Sequence, residues 1–253
     1  MRIHSLSLSL TILLLPKISL AAGGLVHFNW TQLFPFVNYE TIPVATAALA
    51  AFVLIVFSLI ARAALPSSAE DIRPAGSFSV RGFSESLVDF IMYLNDMVVG
   101  EKHRKFIPLF GAIFVYVFFN NILGLFPGMT PATDNYNTTL AIGIFSFVMY
   151  NYFGLKEHGI AYLKHFLGPV VWLAWLMLPI ELISHLVRPL SLGLRLMGNM
   201  QGDHTVLGIF LDLTPYLVPV VFYGIGTFVC FMQAFVFTLL SMVYVSMAIA
   251  HDH

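Results

Sequence analysis

Charge is what this sequence has least of. Only 10% of its 253 residues are Asp, Glu, Lys or Arg, whereas 58% are hydrophobic. A soluble domain carries about a quarter charged residues, so the shortage excludes an ordinary water-soluble globule and points to a polytopic membrane protein. The charges present nearly cancel, 12 basic against 13 acidic, and offer no basic face to nucleic acid. Cysteine is as scarce. Cys230 stands alone in an apolar run, cannot close an internal disulfide, and reads as a small packed hydrophobe. Internal repeats and low-complexity tracts are missing. So are H-E-x-x-H and a serine-nucleophile motif, which leaves an intramembrane hydrolase without support. No residue pattern calls for a metal or an organic cofactor.

What is present is a series of long apolar runs. The N-terminus is distinct: Arg2, a short apolar core from Leu6 to Leu15, then Ser19-Leu20-Ala21-Ala22. A core this short cannot span a bilayer, which takes about 20 residues. It fits a secretory signal peptide, residues 1–21, with an uncleaved leader as the alternative. Residues 22–253 then form a single membrane domain. Within it, Ala45–Ala61, Phe106–Phe126 and Thr138–Leu155 are each long enough to cross. In the polar stretch 66–105, Leu87, Phe90, Ile91, Leu94 and Met97 recur at helical spacing. That pattern predicts an amphipathic helix at the membrane surface or packed on a partner.

Basic residues set the topology. Arg62, Arg73, Arg81, Lys102, Arg104 and Lys105 fall in the first loop, Lys156 and Lys164 in the third, and none in the second, "PGMTPATDNYNTT". Basic flanks stay cytoplasmic, which places the mature N-terminus outside and the C-terminus in the cytoplasm. A cleaved leader predicts the same arrangement. The remainder, Leu167–Phe210 and Tyr216–Ala250, reads as two nearly continuous helices around a turn at residues 211–215. At ~1.5 Å per residue they are about 65 and 50 Å long, well beyond the ~30 Å hydrocarbon core. The expected fold is therefore all-α, with five membrane helices. The last two form a long, strongly tilted hairpin, and a surface helix accompanies them.

The first long helix carries a polar stripe: Glu181, Ser184, Arg188, Ser191, Arg195, Asn199 and Asp203. Steps of three and four keep them on one slowly drifting face. His185 and His204 lie at its margins, and Gln233 is isolated among apolar residues on the second helix. An arginine facing lipid at mid-helix costs ~2.5–3.5 kcal/mol on insertion scales. Arg195 must therefore meet an aqueous cleft, an acid of its own chain, or a partner with negative charge. Asp203 is more than two turns away and Glu181 about four, too far for a pair along one straight helix.

An arginine without an acid suits one kind of chemistry. Its charge is permanent, while a carboxylic acid crossing lipid has to be protonated. A partner's carboxyl swinging past Arg195 would have its pKa lowered and would release its proton. The same cation repels hydronium, so polar residues above and below it could form two separate half-paths. Gly198 and Gly202 beside it fit either close approach of another helix or ordinary packing. An independent secondary transporter using Arg195 as an anion or proton site is the competing reading. Such carriers usually show repeat symmetry and broken helices at the substrate site, and neither is evident here.

The stretches "RPLSLGLRLMGNMQGDH" and "MQAFVFTLLSMVYVSMA", in that order near the C-terminus, closely resemble subunit a of rotary F-type ATP synthases. A looser likeness covers about residues 35–253, including "NNILGLFPG". The resemblance implies a non-catalytic, proton-conducting stator in a bacterial inner membrane, beside a ring of c subunits and the peripheral-stalk b subunits. It implies that Arg195 meets the ring carboxylate, that Asn199 and Gln233 line the route near it, and that Glu181, Ser184 and Ser191 lie on the cytoplasmic side. One region departs from the pattern. Many bacterial relatives have Glu at the position of His204 and His at that of Gly226. Asp203 and His204 are therefore expected to replace the usual cross-helix pair as the periplasmic relay, with His204 merely capping a polar pocket as the alternative.

Overall fold

The computed structural model describes residues 29–33, 37–38, 41–64, 79–126, 128–159, 162, 174–213 and 217–250. The expected leader, Arg73, Lys164 and residues 167–173 lie outside them. Among the described residues there are six α-helices and no strand: α1 Ile42–Ala63, α2 Val80–Val98, α3 Ile107–Leu123, α4 Tyr136–His158, α5 Ala174–Leu213 and α6 Leu217–Ile249. Four stretches are long and apolar enough to cross a membrane: α1, α3 with the 3-10 turn before it, α4, and Pro219–Ile249 of α6. The fifth expected crossing, α5, is not among them. Its 40 residues carry Glu181, Arg188, Arg195, Asp203 and Asp212.

Local chemistry accounts for the helix ends. Pro43 and Pro108 sit in the first turns of α1 and α3, where a missing N–H deprives the helix of nothing. The Ser79 side chain accepts from Gly82 N at the start of α2, and Asn135 accepts from Asn137 N at the start of α4, each satisfying an orphan donor. Gly159, at φ +58°, ends α4. The helix before the expected turn runs further than the sequence suggested: Leu211–Leu213 remain helical.

The core is built around α3, whose buried Phe110, Ile113, Phe114 and Val117 follow helical spacing and continue from the buried Phe106 just before it. Ile91 and Leu94 of α2, Tyr150 of α4, Leu192 and Leu196 of α5, and Phe237 and Met242 of α6 close around them. Thus α2 packs its apolar face on its own chain, with Phe90 among Phe114, Phe231 and Phe235 at 5.7–6.3 Å between ring centres. Met97 is a correction to the predicted apolar face: it is 63% exposed, and Val98 packs inward instead. The stripe advances by four residues from Leu94, not three, as a 3.6-residue period requires over this length. By contrast α1 keeps only Ile42, Thr46 and Ala50 buried and presents Phe52, Ile55, Leu59 and Ile60 outward, as a lipid-facing span would. Cys230 is fully buried.

Two glycines bring α4 and α5 together. A Cβ on Gly143 would lie 2.7 Å from the Pro189 carbonyl oxygen, and one on Gly193 would lie 3.2 Å from the Leu140 Cα. Backbones this close leave no room for side chains, the usual device where helices associate in lipid. The Lys105–Glu157 pair, 3.7 Å, fastens the residue before α3 to the end of α4 at the bundle end rich in basic residues.

Candidate functional site

The polar stripe runs the length of α5 and splits into three regions. In the middle stands Arg195, exposed on the outer face of the chain between the exposed Leu194 and the buried Leu196. The ion pairs found among the described residues are Arg81–Glu85, Arg104–Asp96, Lys105–Glu157 and Arg188–Glu181. Arg195 is in none of them. Gly198 and Gly202, also exposed, have open space where a Cβ would project. The glycine pair therefore does not serve packing within this chain. One turn on, Asn199 Nδ2 donates to Gln233 Oε1 at 2.6 Å. Gln233 is buried at 5% exposure, so this bond satisfies a polar group that would otherwise be stranded. It also ties α5 to α6.

Toward the start of α5, Glu181 pairs with Arg188 at 3.8 Å, and the Arg188 guanidinium lies 5.4 Å over the Tyr244 ring. Ser184 is exposed, and the Ser191 hydroxyl donates to the Arg188 carbonyl at 3.0 Å. The ring of His185, expected at the stripe's margin, is buried between α4 and α5. Its Nε2 lies 2.9 Å from Asn151 Oδ1 and 3.2 Å from the Tyr150 hydroxyl.

Toward the far end, Asp203 and His204 both depend on glycines. Asp203 Oδ2 lies 3.0 Å from where a Gly226 Cβ would be, and His204 Nε2 lies 2.5 Å from where a Gly124 Cβ would be. Each titratable side chain fills the space of one that its neighbour lacks. A third group, which the sequence reading missed, comes from the loop between α3 and α4. The 3-10 turn Ala132–Asp134 is docked by Thr133, whose hydroxyl donates to Asn121 Oδ1 at 2.7 Å. Burial pushes the Asp134 carboxyl above the ordinary aspartate range, and the charge of nearby His204 pulls it partly back. The hint in the sequence was an acid in a loop without a single basic residue.

Residues 44–246 match the family described as ATP synthase A chain. This chain belongs to that family. It is 55% identical over 229 residues to ATP synthase subunit a of Bdellovibrio bacteriovorus, covering 90% of this chain and all of that protein. The subunit a of Trichlorobacter lovleyi is 45% identical and that of Geobacter sulfurreducens 42%, each over 200 residues, 79% of this chain and 84% of theirs. Family membership and the apolar helices together make this a multi-pass membrane protein. The stripe of α5, with its contacts to α4, α6 and the loop before α4, is the site to be explained within that family.

Proposed function

We propose that this chain is the membrane stator of a rotary F-type ATP synthase and that α5 is the wall along which protons reach and leave the rotor. One observation carries the reading: Arg195 is the arginine on the polar face of α5 that faces outward with no acid among the described residues. A guanidinium turned to lipid costs ~2.5–3.5 kcal/mol, so the face it occupies is covered in the assembled protein. The open Gly198 and Gly202 beside it suit close approach of a helix, and a ring of c subunits bearing a carboxylate supplies both the cover and the counter-charge.

The mechanism follows from that charge. A rotor carboxyl in lipid stays protonated; when it meets Arg195 the fixed cation stabilises the carboxylate and the proton leaves. It leaves by one half-path, formed by Glu181, Ser184 and Ser191 on the cytoplasmic side. The vacated site moves on and is refilled from the other half-path, formed by Asp203, His204 and Asp134 on the outer side. Asn199 and Gln233 position the wall next to the arginine. Arg195 keeps the two half-paths from joining, so proton flow turns the ring.

In this reading α5 is the fifth membrane segment, and α5 and α6 lie strongly tilted around the ring. The mature N-terminus, freed of residues 1–21, is outside and the C-terminus is cytoplasmic in a bacterial inner membrane. Peripheral-stalk b subunits hold the chain still. The test is a cysteine placed at Gly198 in a Cys230→Ser background. Oxidation should join it to a cysteine on the rotor's outer helix and stop ATP hydrolysis; failure to cross-link to any rotor position would overturn the reading.

A further inference from the structure

The buried polar cluster behind the start of the stripe has no part in the scheme so far. A cavity of about 50 Å³ opens between α4, α5 and α6, walled by Glu181, His185, Arg188, Tyr150, Tyr162 and Tyr244. One water needs ~10–15 Å³ and two to four polar partners. This cavity exceeds that volume and offers a carboxylate, a guanidinium, an imidazole and three phenols. Met247 and Ala248 of α6 add apolar lining. The Glu181–Arg188 pair stands at its wall, so a residue of the cytoplasmic half-path borders this space.

Inside, one ring nitrogen has two partners. His185 Nε2 lies within hydrogen-bond reach of both the Asn151 amide oxygen and the Tyr150 hydroxyl. Asn151 Oδ1 also accepts from the Tyr162 hydroxyl at 3.3 Å. An amide oxygen only accepts, so toward Asn151 the nitrogen must carry hydrogen; a phenol can donate, so toward Tyr150 it can present its lone pair. One nitrogen cannot do both at once, so Asn151, at the shorter distance, fixes the neutral ring as the Nε2–H tautomer and leaves Nδ1 as its basic nitrogen. Phe147 and Tyr150 meet the ring edge-on at 5.2 Å and fix its plane.

We propose that this cavity is a water-holding side chamber of the cytoplasmic half-path and that His185 takes up and returns protons there. In the loading step the carboxylic O–H of Glu181 breaks and an N–H bond forms on the ring, with cavity water carrying the proton between them. Glu181 becomes carboxylate and the ring imidazolium. In the unloading step the ring N–H breaks and the proton passes through water to the cytoplasm. The groups facing the ring are Tyr150 and Asn151 of α4, Tyr162 after it, and Glu181 and Arg188 of α5. Tyr244 of α6 faces the same space. The inference rests on the reading of α5 as a proton path.

The experiment uses the complete ATP synthase in inverted membrane vesicles. His185→Gln keeps a nitrogen and an oxygen near Asn151 and Tyr150 but cannot titrate; Ala248→Leu keeps every titratable group but fills the chamber. With assembly confirmed by subunit content, His185→Gln should slow ATP-driven proton pumping by about tenfold or more, as loss of a general acid–base does. It should also flatten the dependence of the rate on cytoplasmic-side pH. Ala248→Leu should slow pumping with the pH dependence retained. His185→Gln with the parent's rate and pH profile would overturn the proposal. Arg195→Ala is the control: if it alone abolishes pumping while His185→Gln changes nothing, the chamber fails and the wider reading stands.

Discussion

Arg188 and Arg195 sit two turns apart on the same face of α5, and only the first has an acid. Arg188 is half-buried, 3.8 Å from Glu181 and stacked over Tyr244, whereas Arg195 is exposed and outside every ion pair found among the described residues. The helix thus carries one paired guanidinium and one exposed guanidinium outside the ion pairs found among the described residues. Their removal should differ accordingly. Arg188→Ala leaves Glu181 without its cation at the wall of a cavity and should lower assembly of the complex, measured by subunit content in membranes. Arg195→Ala should leave assembly near the parent level.

The Asn199–Gln233 bond should behave as a clamp between α5 and α6. Asn199→Leu leaves the buried Gln233 oxygen unsatisfied, a loss of about 1–3 kcal/mol. Adding Gln233→Leu removes the stranded group and should return part of it. Thermal unfolding of the purified complex measures this as a double-mutant cycle. Purely additive losses would mean that the two side chains do not act together.

Glycines sort into two classes by what surrounds them. A Cβ at Gly143 meets the Pro189 carbonyl at 2.7 Å, so Gly143→Ala must shift backbone and should destabilise by about 1–3 kcal/mol. A Cβ at Gly198 meets nothing within 4 Å. Gly198→Ala should therefore leave the chain's own fold unchanged, while Gly198→Phe should weaken co-purification of the ring. Equal effects of Gly143→Ala and Gly198→Ala on folding would contradict this division.

Asp134 gives a pH prediction whose sign is fixed by its surroundings. Burial raises its pKa, so it holds a proton to higher pH than an ordinary aspartate, and on the proposed outer path it would keep supplying protons at a higher outer pH than an ordinary aspartate could. Asp134→Asn should move the alkaline limb of proton-driven ATP synthesis toward lower outer pH. An unchanged limb would remove Asp134 from the path.

Much of this was legible in the sequence, because the bilayer imposes long apolar runs and makes each polar residue within them conspicuous. Four crossings appeared within a few residues of their ends, the fifth expected one is not among the apolar spans found, and the stripe of α5 followed from its spacing alone. What spacing could not show was contact between distant segments. Tyr150 and Asn151 precede His185 by more than thirty residues, and nothing along α4 marks them as its partners. Gly143 and Gly193 looked unremarkable until the backbones they admit were seen together. Asp134 was hidden in a loop read only for its lack of basic residues. Met97 was misplaced because a stripe of 3.6 period drifts and a short window does not reveal the direction.

The central claim concerns one fixed cation, and ATP-driven proton pumping by vesicles carrying Arg195→Ala tests it most directly. The account predicts a fully assembled complex, with c subunits and catalytic subunits present in parent amounts, that pumps no protons. A complex of the same composition that pumps at the parent rate would contradict it.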